Sequence, residues 1–374
     1  MKGLYIHIPF CEYICHYCDF VKQVPKNDMM IDKYLDHLIK EINSYQSHFN
    51  EIDTIYIGGG TPSMLKPYQL EKLLASIQNI PAFEKTIEVN PESYSFEKGL
   101  IFKKYGINRV SLGVQSFNNN ILKYINRNHT EDEVFYAINN LKSLGINNIS
   151  VDLIYAIPGQ TIEMLEYDLE MINKLNINHV SCYSLILENK TYFYHQYLKG
   201  NYEPVDNELE AQMFDIVMNK LKQNGFEHYE ISNFAKNKQY SFHNMLYWTL
   251  NEYIGCGLGA HGYINNYRTY NNKSLNKYYE NPLNIKVEQT KLDNLQDELI
   301  FGLRLLKGVN IKKIEEKYSL DFLNKYPEIL EKIELGLVEL NNDILKLTPK
   351  GIFLGNLVFE VFIWNIFLKT INFI

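Results

Sequence analysis

Cys11, Cys15 and Cys18 form the run CEYICHYC, directly behind the apolar stretch Leu4 to Ile8. Three thiolates at these short spacings can each bind a separate iron of a cubane cluster, leaving the fourth iron without a protein ligand. Zinc is the alternative, since short Cys spacings occur in tetrahedral sites; it needs a fourth ligand, for which His7 or His16 stands close in sequence. Cys182 and Cys256 stand alone and read as small buried hydrophobes. Five is an odd number of cysteines, and three of them within eight residues is no disulfide framework, so the expected compartment is the reducing cytoplasm.

The elements that must position these thiols follow from the hydrophobic period. Short β-branched runs occur at Leu4 to Ile8, Thr54 to Ile57, Thr86 to Val89, Arg109 to Leu112, Ile149 to Leu153 and His179 to Ser184. Helical spacing separates them, as in Ile31, Tyr34, Leu35, Leu38, Ile39, Ile42 and Tyr45, and further helices are predicted at Gln69 to Ile77, Thr130 to Leu144 and Ile162 to Leu175. Six βα units predict an α/β fold with a parallel sheet curled into an open (β/α)6 partial TIM-type barrel. Barrels of this kind place their site on the loops behind the strands. Those loops hold CEYICHYCDF, GGGTPS, NPES, GVQS and the stretch from Asp152.

After Asn284 the pattern changes to helices near Leu292 to Leu306 and Ile311 to Tyr318, followed by a hairpin across Asn341 to Asp343. This predicts a barrel with its extension over 1–284 and a small C-terminal α+β, winged-helix-like domain over 285–374. The tail from Ile352 to Ile374 is apolar, but Glu360 and Lys369 interrupt it, and it is too short of uncharged residues to span a bilayer. It reads as a terminal helix packed into the core, with docking at a membrane as the alternative. The start MKGLYIHIPF has no small-residue cleavage site and does not read as a secretory signal.

Composition agrees with a globular protein: 374 residues, 46% hydrophobic, 22% charged and 11 prolines. With 37 Lys and Arg against 44 Asp and Glu, the net charge of −7 repels polyphosphate, so nucleic acid is not an expected partner.

In order along residues 5 to 248, HIPFCEYICHYCDF, IYIGGGTPS, IEVNPES, SLGVQSFN, DLIYAIPGQT, YEISNFA and HNMLYW resemble the radical S-adenosylmethionine enzymes, and within them the oxygen-independent coproporphyrinogen III oxidase family. The resemblance covers essentially the whole chain. It implies a 4Fe-4S cluster on Cys11, Cys15 and Cys18, whose open iron chelates S-adenosylmethionine and whose electron generates a 5′-deoxyadenosyl radical. It further implies that Gly59, Gly60 and Thr61 receive the amino group of S-adenosylmethionine, and that Glu88, Gln115 and Arg127 hold its methionine or ribose part. Asp152 would accept from the ribose hydroxyls, Tyr17 would stack on adenine and Tyr5 would add a contact.

The porphyrinogen-oxidising branch, HemN, carries a further cysteine two residues beyond the third, where this sequence has Phe20. It also carries an extension before the first strand, and here Leu4 already starts the sheet. Both differences resemble the haem-chaperone branch, HemW. That branch implies haem as cargo, delivery to membrane haemoproteins such as respiratory-chain components, an electron donor, and a cytoplasmic protein working at the membrane periphery. HNMLYW would contact haem, with His243 as an axial ligand. Oxidative decarboxylation of coproporphyrinogen III is the alternative activity, and a zinc-binding structural module the lesser one. Ala156 and Gly262 depart from the family pattern without removing a ligand.

Overall fold

The computed structural model describes residues 1–363. Six strands, β1 (Lys2–Ile8), β2 (Thr54–Gly59), β3 (Glu84–Val89), β4 (Arg109–Gln115), β5 (Asn148–Tyr155) and β6 (His179–Ser184), pair in parallel in chain order. β6 does not return to β1, so the expected open barrel of six βα units is what the chain forms. Each predicted strand lies where the β-branched period placed it. The real elements run a few residues further, into glycines and polar residues that carry no β signal.

The strand period separates two environments. Leu4, Ile6, Ile8, Ile55, Ile57, Ile87, Val110, Leu112, Ile149 and Val151 face the helices and are buried. The alternate positions Tyr5, Tyr56, Thr86, Arg109 and Asn148 lie in one register row across β1 to β5, and line the lumen with polar groups. Helix α1 (Asp28–Ser44) is started by Asn27, whose side chain accepts from the Met30 amide, and buries Ile31, Tyr34, Leu35, Leu38 and Ile42 on one face. The helices α2 (Pro67–Ile77), α3 (Phe96–Lys104), α4 (Asn119–Tyr124), α5 (Glu131–Ser143), α6 (Ile162–Leu175) and α7 (Tyr192–Leu198) follow their strands. A capping box between Thr130 and Glu133 begins α5.

The sheet continues past β1 in a way the sequence pattern did not announce. Glu252–Cys256 pairs in parallel with β1, and His261–Ile264, Tyr267–Asn271 and Leu283–Glu288 add antiparallel strands beyond it. Glu41 on α1 secures this extension: its buried carboxylate accepts from the Gly257 amide, the Asn271 side chain and the Tyr278 hydroxyl.

The chain divides into two compact units. One comprises Met1–His228, Ser232–Leu246 and Asn251–Glu288; the other comprises Tyr229–Ile231, Tyr247–Leu250 and Gln289–Ile374. In the second, the helices Lys291–Arg304, Ile311–Tyr318 and Ile329–Glu334 precede the hairpin Val338–Asn341 and Ile344–Leu347, to which Val309–Asn310 adds a third strand. Asn342 and Asp343 both have positive φ, as a two-residue hairpin turn requires, so the winged-helix-like arrangement stands as expected. Phe362 packs on Phe322 and Tyr326 within this unit, which puts the beginning of the apolar tail in a core. The rest of the expected terminal helix, residues 364–374, lies outside the described residues. Among the described residues, no helix is long and apolar enough to cross a membrane.

Candidate functional site

The loop behind β1 is tied shut at its base. The Cys11 amide donates to Gln23 O at 3.1 Å and the Gln23 amide to Pro9 O at 2.8 Å. Inside it, the Cys18 amide donates to Cys15 O, the Lys22 ammonium donates to Cys18 O, and the Phe20 amide reaches the Cys18 sulfur. Cys11 is 7% exposed, while Cys15 and Cys18 are part-buried. Burial, with the neighbouring Cys15 thiol adding to it, pushes Cys11 up to about 11 and Cys18 up to about 12. Such thiols give up their protons to bound metal, and binding releases them.

The glycine run behind β2 fits against this loop. The Gly60 amide donates to Ile8 O at 2.7 Å and the Thr61 amide to Phe10 O at 2.8 Å, while the Thr61 hydroxyl reaches the Cys11 sulfur. A Cβ on Gly60 would lie 2.6 Å from the Phe10 carbonyl oxygen. Gly59 has φ +112°, and a Cβ there would meet the His7 ring at 2.5 Å. The backbone therefore passes where only glycine fits, directly beside the cysteine loop.

Glu88 receives the Tyr56 hydroxyl at 2.8 Å and the Gly59 amide at 3.0 Å. Burial, opposed by those two bonds and reinforced by the charge of Asp152, pushes its carboxyl up to about 7. Burial also raises Asp152, whose carboxylate accepts from Ser111 at 3.1 Å and from Ser150 and Ser181. His7 Nε2 donates to Val21 O at 2.7 Å, so its Nδ1 accepts from the Tyr5 hydroxyl at 2.8 Å, and Tyr5 stands near Glu88. Tyr17 is packed against the apolar cluster of Ile121, Leu122, Ile125 and Phe193, within electrostatic reach of Cys15, Arg127 and Tyr183.

Gln115 ends β4 with φ +67°, and its buried Oε1 makes no hydrogen bond. Arg127, 4% exposed, donates to Gly113 O at 2.5 Å and lies 3.7 Å from Glu92, while its Nε has no acceptor. Although burial opposes it, Glu92 and the neighbouring tyrosines and Cys15 keep this guanidinium charged. An unfilled acceptor and an unfilled donor, both buried beside the thiol loop, fit a ligand that presents polar groups of both kinds. S-adenosylmethionine, with its ammonium, carboxylate and ribose, is such a ligand.

The residues named for the cluster and for S-adenosylmethionine thus occupy one end of one barrel. Sequence reasoning missed Glu92, which sits in the NPES loop. Its carboxylate accepts from the Tyr13 hydroxyl and from Asn90, and faces both Arg127 and His129 at 3.7 Å. The signal was available in the position of NPES behind a strand. Lys98, which donates to Ser63 O at 2.6 Å and Ser93 O at 2.7 Å and so binds the GGGTPS and NPES loops together, left no such signal.

His243 occupies a different place from the thiol loop. Its ring is 0% exposed, with Nδ1 2.8 Å from the Thr54 hydroxyl and its face against Tyr56. Its amide donates to Glu84 Oε1, and Glu84 and Thr54 both open their strands, so His243 plugs the floor of the barrel. Burial pushes the imidazole down to about 3. An axial role would require this floor to open, because the ring is fully buried. Cys256 is buried beside Ile6, whereas His261 is exposed.

Among the described residues, no three His, Cys, Asp or Glu side chains converge on a single ion. Tetrahedral zinc draws sulfurs to about 2.3 Å from one centre, whereas each thiolate of a cubane takes its own iron. Three cysteines in one loop are the donor set a cubane cluster with one open iron requires.

Glu88 carries a pH prediction. The folded chain keeps this proton to about pH 7, whereas the ordinary carboxyl value is 4.5. Over that window the unfolded chain binds fewer protons, so stability falls as pH rises from 4.5 to about 7 and is level above it. Glu88→Gln should remove this contribution and gain stability relative to the wild type at pH 8 compared with pH 5. Denaturant midpoints at the two pH values test this; equal shifts at both would refute it.

Residues 5–172 match the Radical SAM superfamily, and residues 289–354 match the HemN C-terminal domain. The chain is 40% identical to "Heme chaperone HemW" of Bacillus subtilis (strain 168), over 97% of this chain and 99% of that protein. It is also 40% identical to the protein of the same name from Lactococcus lactis subsp. lactis (strain IL1403), over 100% and 99% of the two. Among solved structures, coproporphyrinogen III oxidase (HemN) from Escherichia coli, described as a radical SAM enzyme, superposes with a TM-score of 0.85. That match covers 98% of this chain and 90% of the other at 24% identity, and shows a shared fold.

Proposed function

Since the chain belongs to the radical S-adenosylmethionine superfamily and, within it, to the family of the haem chaperones HemW, we propose that it carries haem and delivers it to membrane haemoproteins. Its cofactors in this reading are a 4Fe-4S cluster on Cys11, Cys15 and Cys18, and S-adenosylmethionine. Full-length identity of 40% to two relatives named for haem chaperoning is the observation that carries it. Phe20, 50% exposed, supports the same branch, because the porphyrinogen-oxidising enzymes have a cysteine at that position.

The cluster, when bound, supplies an open iron and a single electron from an external donor. This chain's residues supply the remainder. Thr61 orients Cys11, and the tight passage of Gly59 and Gly60 brings backbone beside the cysteine loop. Glu88 offers a carboxylate to the ammonium of S-adenosylmethionine, Arg127 offers a fixed guanidinium to its carboxylate end, Gln115 adds an open amide, and Asp152 accepts from the ribose. Tyr17 gives adenine an apolar face, and Tyr5 closes the wall next to Glu88.

The test is a comparison of two activities on anaerobically reconstituted protein. The carrier reading expects saturable haem binding, followed by the haem absorption band, and no 5′-deoxyadenosine when coproporphyrinogen III and reductant are supplied. Porphyrinogen-dependent 5′-deoxyadenosine without haem binding would instead establish the dehydrogenase.

A further inference from the structure

Cys15, the middle thiol of the loop, has the chain on both its sides held by one short segment, the turn that closes α4. The His16 amide donates to Ile125 O at 3.1 Å, and the Asn126 side-chain amide donates to Ile14 O at 2.8 Å. Asn126 has φ +60°, a turn conformation that asparagine tolerates. Arg127 follows it, and a third link joins Arg127 to Tyr13 through Glu92. The Glu92 carboxylate divides its two oxygens: Oε1 accepts from the Tyr13 hydroxyl and from Asn90 Nδ2 at 3.2 Å, while Oε2 faces Arg127 and His129, each at 3.7 Å. Residues 125, 126 and 127 thus meet residues 16, 14 and 13 in turn, and Cys15 lies within the span.

The third link differs from the other two because its middle member is a charge. Arg127 is gripped along one edge: its Nη2 donates to Gly113 O at 2.5 Å and faces Glu92, while its buried Nε has no acceptor. A guanidinium held in this way keeps donors in hand for a carboxylate, which it recognises through its planar fork of N–H groups. It is also within electrostatic reach of Cys15. S-adenosylmethionine has to meet two places at once, the open iron held by the cysteine loop and Arg127 at its carboxylate end. Its affinity then depends on the distance between the loop and the guanidinium. A distance fixed before binding spares the ligand the cost of ordering the site.

We infer that Tyr13 and Glu92 are positioning residues for S-adenosylmethionine: their chain of hydroxyl, carboxylate and guanidinium sets the Cys15 stretch of the loop at a fixed distance from Arg127, so that one ligand reaches both. The inference rests on the reading that the cluster and S-adenosylmethionine are this chain's cofactors. Neither residue touches the ligand in this role; Tyr13 acts through Glu92, and Glu92 through Arg127. The cysteine spacing itself asks for no tyrosine at position 13. Its contact with Glu92, 79 residues further along the chain, is what gives it the role.

The experiment compares the full-length, anaerobically reconstituted wild type with Tyr13→Phe, Glu92→Ala and the double variant. Iron and sulfide are counted first, S-adenosylmethionine binding is measured by equilibrium dialysis, and the electron paramagnetic resonance of the reduced cluster is recorded with and without the ligand. The expected result in Tyr13→Phe is full cluster iron, a Kd for S-adenosylmethionine raised about tenfold, and a ligand-induced spectral change that needs correspondingly more ligand. In the Glu92→Ala background the loss of the hydroxyl should cost nothing further, because the chain is already broken. Should Glu92→Ala not fold, Glu92→Gln gives the same cycle, broken at the Arg127 end. A wild-type Kd and spectrum in Tyr13→Phe would overturn the proposal, as would losses that add in the double variant. Loss of cluster iron in Tyr13→Phe would overturn it too, since the hydroxyl would then hold the loop for metal and not for the ligand. A wild type with a full cluster that binds no S-adenosylmethionine would overturn the cofactor reading itself, and the positioning role with it.

Discussion

Cys11→Ala, Cys15→Ala and Cys18→Ala, purified without oxygen and reconstituted with iron and sulfide, are each expected to come out colourless, whereas the wild type is brown. Each thiolate serves its own iron, so two remaining cysteines leave two irons without protein ligands. Cys182→Ala and Cys256→Ala serve as controls and should stay brown. Both thiols are buried in strands, and burial raises the pKa of each, as for inert structural cysteines. Iron content and the broad cluster absorbance give the answer. A brown, iron-replete Cys15→Ala would refute the assignment, and a colourless wild type holding one zinc per chain would return the zinc reading.

The second large effect belongs to Arg127. Arg127→Met keeps most of the side-chain volume but removes the charge that faces Glu92 at 3.7 Å and the donor to Gly113 O at 2.5 Å. His129 does not replace it, because burial opposes protonation of that imidazole even without Arg127. Breaking a buried pair from one side costs about 3–5 kcal/mol, most of it the penalty of the charge left behind. The variant should therefore lose stability on that scale in denaturant titrations, and bind S-adenosylmethionine poorly when folded. Adding Glu92→Gln should recover a large part of the stability and none of the binding. If the double variant is as unstable as Arg127→Met alone, the orphaned carboxylate is not the cause.

These two predictions draw on different levels of information. The cysteine triplet and its place behind the first strand are legible in eight consecutive residues, because a loop ligand set is local and its spacing is its chemistry. The partner of Arg127 is not. Glu92 precedes it by a sequence distance that no helix or strand period spans, and only the packing of the loops behind β3 and β4 brings the two together. The same applies to His243, whose amide meets Glu84 across 159 residues, and to Glu41, which receives the Gly257 amide across 216.

The sequence by itself determined the alternation of strand and helix, the loops that carry chemistry, and the turn at Asn342 and Asp343. Each follows from a period, a φ preference or a ligand spacing within a few residues. Tertiary structure alone decided which polar side chains share the lumen, and that the sheet continues beyond β1. It also turned His243 inwards to close the floor, while His16, directly behind Cys15, was left with a free nitrogen beside exposed aromatic rings. The physical reason is that burial and hydrogen-bond partnership belong to pairs of surfaces. A single imidazole looks the same in sequence whether its lone pair ends against a threonine or faces solvent.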